Sequence, residues 1–278
     1  MNSKERIDTA LVRRGLSASR EKAQAMIMAG EVYINERRIL KPSETVGPLD
    51  ELTVRGSGDR FVSRGAHKLE KAVRVFDADL KDRIVMDIGA STGGFTDICL
   101  RNGAKHVYAI DVGYGQLDWK LRNDPRVTVM ERTNARYLSS EMFDKLPDTA
   151  VMDVSFISIQ LILPAIFRII GPSGVLYTLI KPQFEAGKEK VGKNGVVRSI
   201  ETHEEVLNRI VQFSDSIGLN VRHIDFSPIT GPEGNIEFLA EIRGKKDFDL
   251  LPDKELIHRV VVQAHDHLGR PNNSPPLL

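Results

Sequence analysis

Apolar residues recur at two spacings along this chain, and the switch from one spacing to the other predicts its elements. Ile84 to Ile88 is a short β-branched and apolar run, stopped by a loop of glycines and small hydroxylated residues from Gly89 to Gly94. Helical spacing follows at Phe95, Ile98, Cys99 and Leu100, so the stretch reads as strand, tight loop, helix. The alternation continues downstream. Strands are expected over 106–112, 127–130, 149–154 and 175–180, and helices over 116–122, 159–170 and 200–217. Two last strands, 221–226 and 236–242, have no helix between them and predict an antiparallel pair at one edge. Strands alternating with helices specify the α/β class, with a mostly parallel sheet covered by helices on both faces.

The first 55 residues carry a different pattern. Arg6, Ile7, Ala10 and Leu11 have helical spacing, Gly15 breaks it, and Ser17 or Ser19 caps a second helix over Arg20 to Ala29 that ends at Gly30. Short strands at 32–34 and 38–40 flank a turn at Asn35-Glu36, and a third is expected at 51–54. This is a small α+β unit of its own. Gly56-Ser57-Gly58-Asp59 has the composition of a linker. The expected boundaries are therefore 1–58 for the small domain, 59–247 for the α/β domain and 248–278 for a tail with one helical stretch, 254–267, before a Pro-rich end.

Composition narrows the class. The 278 residues suffice for a small and a medium domain, and a single cysteine, Cys99, excludes an internal disulfide framework and a multi-cysteine metal site. Cys99 reads as an apolar helix residue. Leu161 to Ile180 is broken by Pro164, Arg168, Gly171 and Pro172, so no stretch spans a membrane, and the first six residues lack the apolar core of a signal peptide. The expectation is a soluble cytoplasmic protein without a metal. Net charge is only +1, so any affinity for nucleic acid must come from a local patch. Residues 1–45 supply one, with nine basic against six acidic residues. Arg6, Arg13, Arg14, Arg20, Lys22, Arg37, Arg38 and Lys41 lie at helix ends and at the hairpin, where they could converge on phosphates.

In an open parallel sheet, ligands bind beyond the carboxyl ends of the strands at the switch in strand order, so the polar residues at strand ends are the candidates. The first strand brings Asp87, Gly89, Ala90, Ser91, Thr92, Gly93, Gly94 and Phe95, a backbone cradle at a helix amino terminus. Ser91 stands where the phosphate-binding fingerprint has its second glycine, which disfavours pyrophosphate and suits an adenosine with an amino-acid tail, with Ser91 and Gly93 leaving room for that tail. Asp111, 22 residues after Gly89, suits a carboxylate bonded to ribose hydroxyls, and Asn134 could face an adenine. Asp153 and Lys181 each close an apolar strand and should face one cleft. Lys68 falls at the start of a helix, against the macrodipole, which costs energy unless the residue has a task. The Gly- and Lys-rich stretch 183–198 fits a loop over a nucleic acid as well as it fits a solvated connection.

Two resemblances organise these residues. The run from Ser19 to Asn35, followed by Lys41-Pro42-Ser43, resembles the RNA-binding domain named after ribosomal protein S-four, with Glu36 where that family often has glycine. Asp87 to Thr96, with Lys68, Asp153, Lys181 and Glu237, resembles the FtsJ-type 2′-O-methyltransferases and their Lys-Asp-Lys-Glu tetrad. With both domains in order, the chain up to about residue 245 is similar to the TlyA family of ribosomal RNA methyltransferases, also labelled hemolysins. The resemblance implies a Rossmann-like methyltransferase sheet and S-adenosylmethionine as donor. It further implies ribosomal RNA or a ribosomal subunit as partner and the 2′-hydroxyl of a cytidine as acceptor. It leaves two rivals, a membrane-active lysin and a catalytically silent RNA-binding assembly factor. Lysine with an ordinary pKa of about 10.4 is a poor base at neutral pH, and burial beside a second ammonium is one reason to have two lysines in one site. Lys181 is then the base or hydroxyl-orienting group and Lys68 its cationic neighbour, with Asp153 and Glu237 fixing the amine's direction.

Overall fold

The computed structural model describes residues 4–28, 30–35, 37–48, 50–54, 61–246 and 250–269. The expected linker 56–59, the turn residue Glu36 and the Pro-rich end from 271 lie outside them. The chain divides into two compact units, Met1–Arg60 and Phe61–Leu278.

In the first unit, β1 (Glu5–Arg6) leads into α1 (Ile7–Arg13), and α2 (Arg20–Met28) is followed by β2 (Val32–Ile34), β3 (Arg37–Ile39), β4 (Thr45–Val46) and β5 (Leu52–Val54). The expected hairpin is present, with its first strand in place and its second one residue earlier than the pattern suggested. β2 lies between β3 and β5, antiparallel to both, and Asn35 makes the turn with φ 45°, a conformation asparagine tolerates better than most residues. The apolar positions at helical spacing are the ones buried: Ile7, Ala10, Leu11, Ala23 and Ile27 pack on Val32, Ile34 and Ile39. The β1–β4 pair is a non-local match of two-residue segments that carry no strand pattern of their own.

The second unit opens with α3 (Ala66–Val75), then β6 (Ile84–Ile88), α4 (Gly94–Arg101), β7 (His106–Ile110), α5 (Trp119–Arg122), β8 (Val127–Met130) and β9 (Thr149–Met152). It continues with α6 (Leu163–Ile170), β10 (Val175–Ile180), α7 (Pro182–Glu185), α8 (Ile200–Ser216), β11 (Leu219–Phe226), β12 (Phe238–Gly244) and α9 (Lys254–Leu268). The seven strands run in the order β11-β12-β10-β9-β6-β7-β8. β10, β9, β6, β7 and β8 are parallel to one another, whereas β12 is antiparallel to both β10 and β11. The expected terminal pair therefore exists, with its second strand tucked inside and its first at the edge. Strand order reverses between β6 and β9, which opens the crevice at their carboxyl ends.

Period-two alternation sends Met86 and Ile88 to one face with Ile166, Leu207 and Ile210, and Val85 to the other with Leu69, Ile98 and Leu121. Two expected helices are shorter than their patterns. The 159–170 stretch breaks into a 3₁₀ turn, Ile159–Leu161, before α6, because Pro164 has no N–H to offer and sits best in a helix's first turn. The 116–122 stretch is helical only from Trp119, since Asp118 caps it. The carboxyl-terminal segment also differs from a mere tail. Ile257, Val260, Val261 and Ala264 of α9 are buried in the same core as Leu207 and Ile210. Ile257→Ala, at a fully buried position, should lower the free energy of urea unfolding by about 2–5 kcal/mol. A change below about 0.5 kcal/mol, the level of a surface substitution, would mean α9 lies off the core.

Candidate active site

Four charged side chains from four elements meet at the carboxyl end of the sheet. Lys68 stands in the first turn of α3, Asp153 follows β9, Lys181 follows β10 and Glu237 precedes β12. Lys68 Nζ donates to Glu237 Oε2 at 2.7 Å and to Asp153 Oδ2 at 3.2 Å. Lys181 Nζ lies 2.6 Å from Asp153 Oδ1 and donates to Ser155 Oγ at 3.0 Å. The result is a chain of alternating charge, Glu237–Lys68–Asp153–Lys181, with two positive and two negative members. Lys68, Lys181 and Glu237 are buried, so each needs the others. Burial pulls Lys68 toward its neutral form, but the carboxylates of Asp153 and Glu237 outweigh it and hold its pKa above the ordinary lysine value. Lys68, the expected cationic neighbour of Lys181, is thus held as an ammonium by two carboxylates whose approach the sequence could not show.

Two adjoining clefts flank this chain. One, of about 400 Å³, is lined by Asp111, Asn134, Val112, Ile162 and Phe156 among others. The other, of about 230 Å³, is lined by Lys68, Lys181, Ala90, Thr92, Gly94 and Phe95 together with its rim. Gly89, Ser91, Asp153 and Ser155 line both, so they form the boundary between a roomy end and a lysine end. Asp111 is held in the wall by the backbone N–H groups of Ser91 and Gly113, each 2.7 Å from a carboxylate oxygen. Asn134 uses its side-chain oxygen to cap the turn at Arg136.

Two residues assigned to the cradle line neither cleft. Asp87 is fully buried and accepts a hydrogen bond from Thr96 Oγ1 at 2.6 Å, inside the unit. Gly93, at φ 99°, lies where an added Cβ would come within 2.2 Å of Leu121, so its smallness serves packing against α5 and not a ligand. The close approach at Gly89 is likewise to protein. A Cβ there would sit 2.5 Å from the carbonyl oxygen of Asp153, and its absence lets the loop after β6 meet the end of β9.

Several residues at the site were not singled out from the sequence. Ser155 contacts Lys181, and Gln183 Nε2 donates to Glu237 Oε1 at 3.4 Å. Glu185, buried after Lys181-Pro182, accepts from Ser158 Oγ at 2.7 Å and from the N–H of Ile159 at 2.8 Å, tying the loop after β10 to the loop after β9. Phe156 is 90% exposed at φ 64°, a strained conformation for an aromatic residue, with its ring 5.1 Å from that of Phe184. The signal available was position alone, since all of these follow a strand end.

The basic residues of the first unit are partly engaged within it. Arg14 donates to the carbonyls of Asp50 and Gly47, both at 2.9 Å, and serves as a brace for that turn. Arg13 pairs with Glu5, and Arg37 with Glu44 at 2.9 Å. Arg6 and Arg20 both bind Asp8, and Lys22 and Lys41 are exposed. The side chain of Arg38 lies outside the described residues.

Residues 61–243 match the FtsJ-like methyltransferase family, and residues 5–52 match the S4 domain. The chain belongs to the FtsJ-like methyltransferase family. It is 42% identical over 267 residues to the 16S/23S rRNA (cytidine-2′-O)-methyltransferase TlyA of Mycobacterium tuberculosis, covering 95% of this chain and 100% of that one. YqxC of Bacillus subtilis is 51% identical over 271 residues, 96% of each chain. A solved Streptococcus thermophilus structure that carries the hemolysin name superposes with a TM-score of 0.76 at 48% identity, over 97% of this chain and 98% of that one. In the FtsJ-like unit, among the described residues, no helix is long and apolar enough to cross a membrane.

Asp87 makes stability depend on pH. Burial, opposed by the Thr96 hydroxyl, pushes its pKa up to about 7. The unfolded chain releases this proton near pH 4 and the folded chain only near neutrality, so the folded state binds more protons in between. Stability from this group is present at low pH and is lost as pH rises from about 4 to about 7. Asp87→Asn should remove that slope from a series of urea melts; an unchanged slope would show that Asp87 is ionised in the fold.

Proposed function

We propose that this protein transfers a methyl group from S-adenosylmethionine to the 2′-hydroxyl of a cytidine in ribosomal RNA, in the cytoplasm. The observation that carries the reading is the buried chain Glu237–Lys68–Asp153–Lys181 at the mouth of a cleft large enough for a nucleoside. The residues fit such a donor. Asp111 offers a carboxylate to ribose hydroxyls and Asn134 faces the same cleft, while Gly89, Ala90, Ser91, Thr92, Gly94 and Phe95 border the lysine end. S-adenosylmethionine supplies a methyl group made electrophilic by its sulfonium. The protein's task is to hold an oxygen nucleophile in line with it and to remove one proton.

Lys181, aimed by Asp153 and Ser155, is the base or hydroxyl-orienting group: as a neutral amine it would take the 2′-proton, while the methyl's bond to sulfur breaks and a thioether leaves. Lys68 stays cationic between Asp153 and Glu237. It keeps the Asp153 carboxylate in register and offsets negative charge building on the 2′-oxygen. Phe156, exposed on the wall of the larger cleft, offers a stacking face for a nucleobase, an interaction worth about 1–3 kcal/mol per base. The S4 domain supports the RNA reading, its exposed Lys22 and Lys41 and its Arg6 and Arg20 supplying phosphate contacts.

Radiolabelled methyl transfer to ribosomal RNA and to ribosomal subunits, followed by nucleoside analysis, should yield 2′-O-methylcytidine. Lys181→Ala and Lys68→Ala should each lower the rate by about 10²-fold or more, the usual scale of a lost acid–base group, without a matching loss of donor binding. Near-wild-type turnover in either variant removes that lysine from the mechanism; no transfer by the wild type would favour a silent assembly factor. Asp111→Ala should weaken donor binding measured by calorimetry, and an unchanged dissociation constant would defeat its assignment.

A further inference from the structure

Six donors converge on one carboxylate in the amino-terminal unit. Asp8, in the first turn of α1, is 0% exposed. Arg6 grips it with two nitrogens, Nε to Oδ1 at 3.0 Å and Nη2 to Oδ2 at 2.9 Å. From α2 come Arg20 Nε at 3.0 Å and Gln24 Nε2 at 2.9 Å, and Thr9 completes the set with its N–H at 3.0 Å and its hydroxyl at 3.4 Å. The Arg6 guanidinium, helped by Gln24 and Arg20 against the cost of burial, holds the carboxyl well below the usual carboxylate range.

This arrangement leaves the arginines available. A guanidinium has five N–H groups; Arg6 commits two to Asp8 and Arg20 commits one. Their side chains remain 45% and 57% exposed while the carboxylate beneath them is sealed from water. A surface arginine ordinarily gives up rotamer freedom when it meets a phosphate, at about 0.5–1.5 kcal/mol per side chain. Here that ordering is already done, for two guanidinium groups from separate segments anchored on one point.

We propose that Asp8 is a positioning residue for RNA, fixing Arg6 and Arg20 as a two-pronged clamp for a backbone phosphodiester. The proposal rests on the reading of this unit as RNA-binding. Its consequence runs against simple charge counting. Removing a negative charge from a protein that binds a polyanion ordinarily tightens binding, whereas Asp8→Asn loosens it.

The test uses the full-length protein and deproteinised ribosomal RNA, with affinity read by filter retention over a series of salt concentrations. Asp8→Asn is expected to weaken binding about 5-fold or more, from two arginines released to rotate. Gln24→Ala, which cuts the same α1–α2 tether but leaves both arginines on the carboxylate, is expected to bind within about 2-fold of wild type, so loss in Asp8→Asn is not a loosened helix pair. Arg6→Lys keeps the charge without the two-pronged grip and is expected to bind as weakly as Arg6→Gln. Wild-type or tighter binding by Asp8→Asn, with Arg6→Gln and Arg20→Gln both weakened, overturns the positioning role and leaves the RNA reading intact. Should Asp8→Asn fail to fold, Arg6→Lys decides, and wild-type affinity in that variant overturns the proposal. If Arg6→Gln and Arg20→Gln both bind as wild type, the RNA reading of the unit is what fails.

Discussion

Burying two ammonium groups close together is unfavourable unless carboxylates stand between them, and the catalytic unit is arranged so that they do. Asp153 is shared, one oxygen to Lys68 and the other to Lys181, and Glu237 takes the remaining side of Lys68. Neutrality of the set is what makes its burial tolerable. It also couples four elements, α3, β9, β10 and β12, so that a shift in any one of them changes the distance between the lysines. The inner placement of β12, antiparallel beside β10, is what delivers Glu237 to the same end of the sheet as Asp153 and Lys181.

Glycine in the loop after β6 has a meaning different from the one its spacing suggests. Gly89 admits the end of β9, Gly94 admits Ser63 and the first residues of α3, and Gly93 admits Leu121. Each brings protein against protein, and together they set how close α3, with Lys68, comes to Asp153. The shape of the loop after β6 is the outcome of this packing. Gly231 repeats the theme on the far side, where a Cβ would fall 2.7 Å from Glu237 Oε1.

Charge is handled by a shared rule in the two units. In each, a buried or half-buried carboxylate receives two cations from separate segments: Asp153 in the FtsJ-like unit, Asp8 in the S4 domain. In the first case the cations are themselves buried. In the second they are exposed and face solvent, where a phosphate would meet them. Counting basic residues could not separate Arg6 and Arg20 from Arg14, which is consumed by two backbone carbonyls.

Local pattern was enough for the α/β class, the strands β6 to β10 and the small α+β unit, because each depends on apolar periodicity; the four tetrad residues were grouped only by the FtsJ-type resemblance. Lys68 was legible as a cation at a helix start, and Lys181 and Asp153 as charges ending apolar runs. Beyond that, distance decided. No periodicity reports that Asp87 turns inward to Thr96, that Gly93 is filled by Leu121, or that α9 belongs to the core with Ile257 and Val261 buried. Nor does it report which arginine meets which carboxylate. Periodicity records which face of its own element a residue occupies; its partner, and with it the protonation state of Lys68 or the anchoring of Arg20, is set by segments apart in sequence that packing brings within about 3 Å.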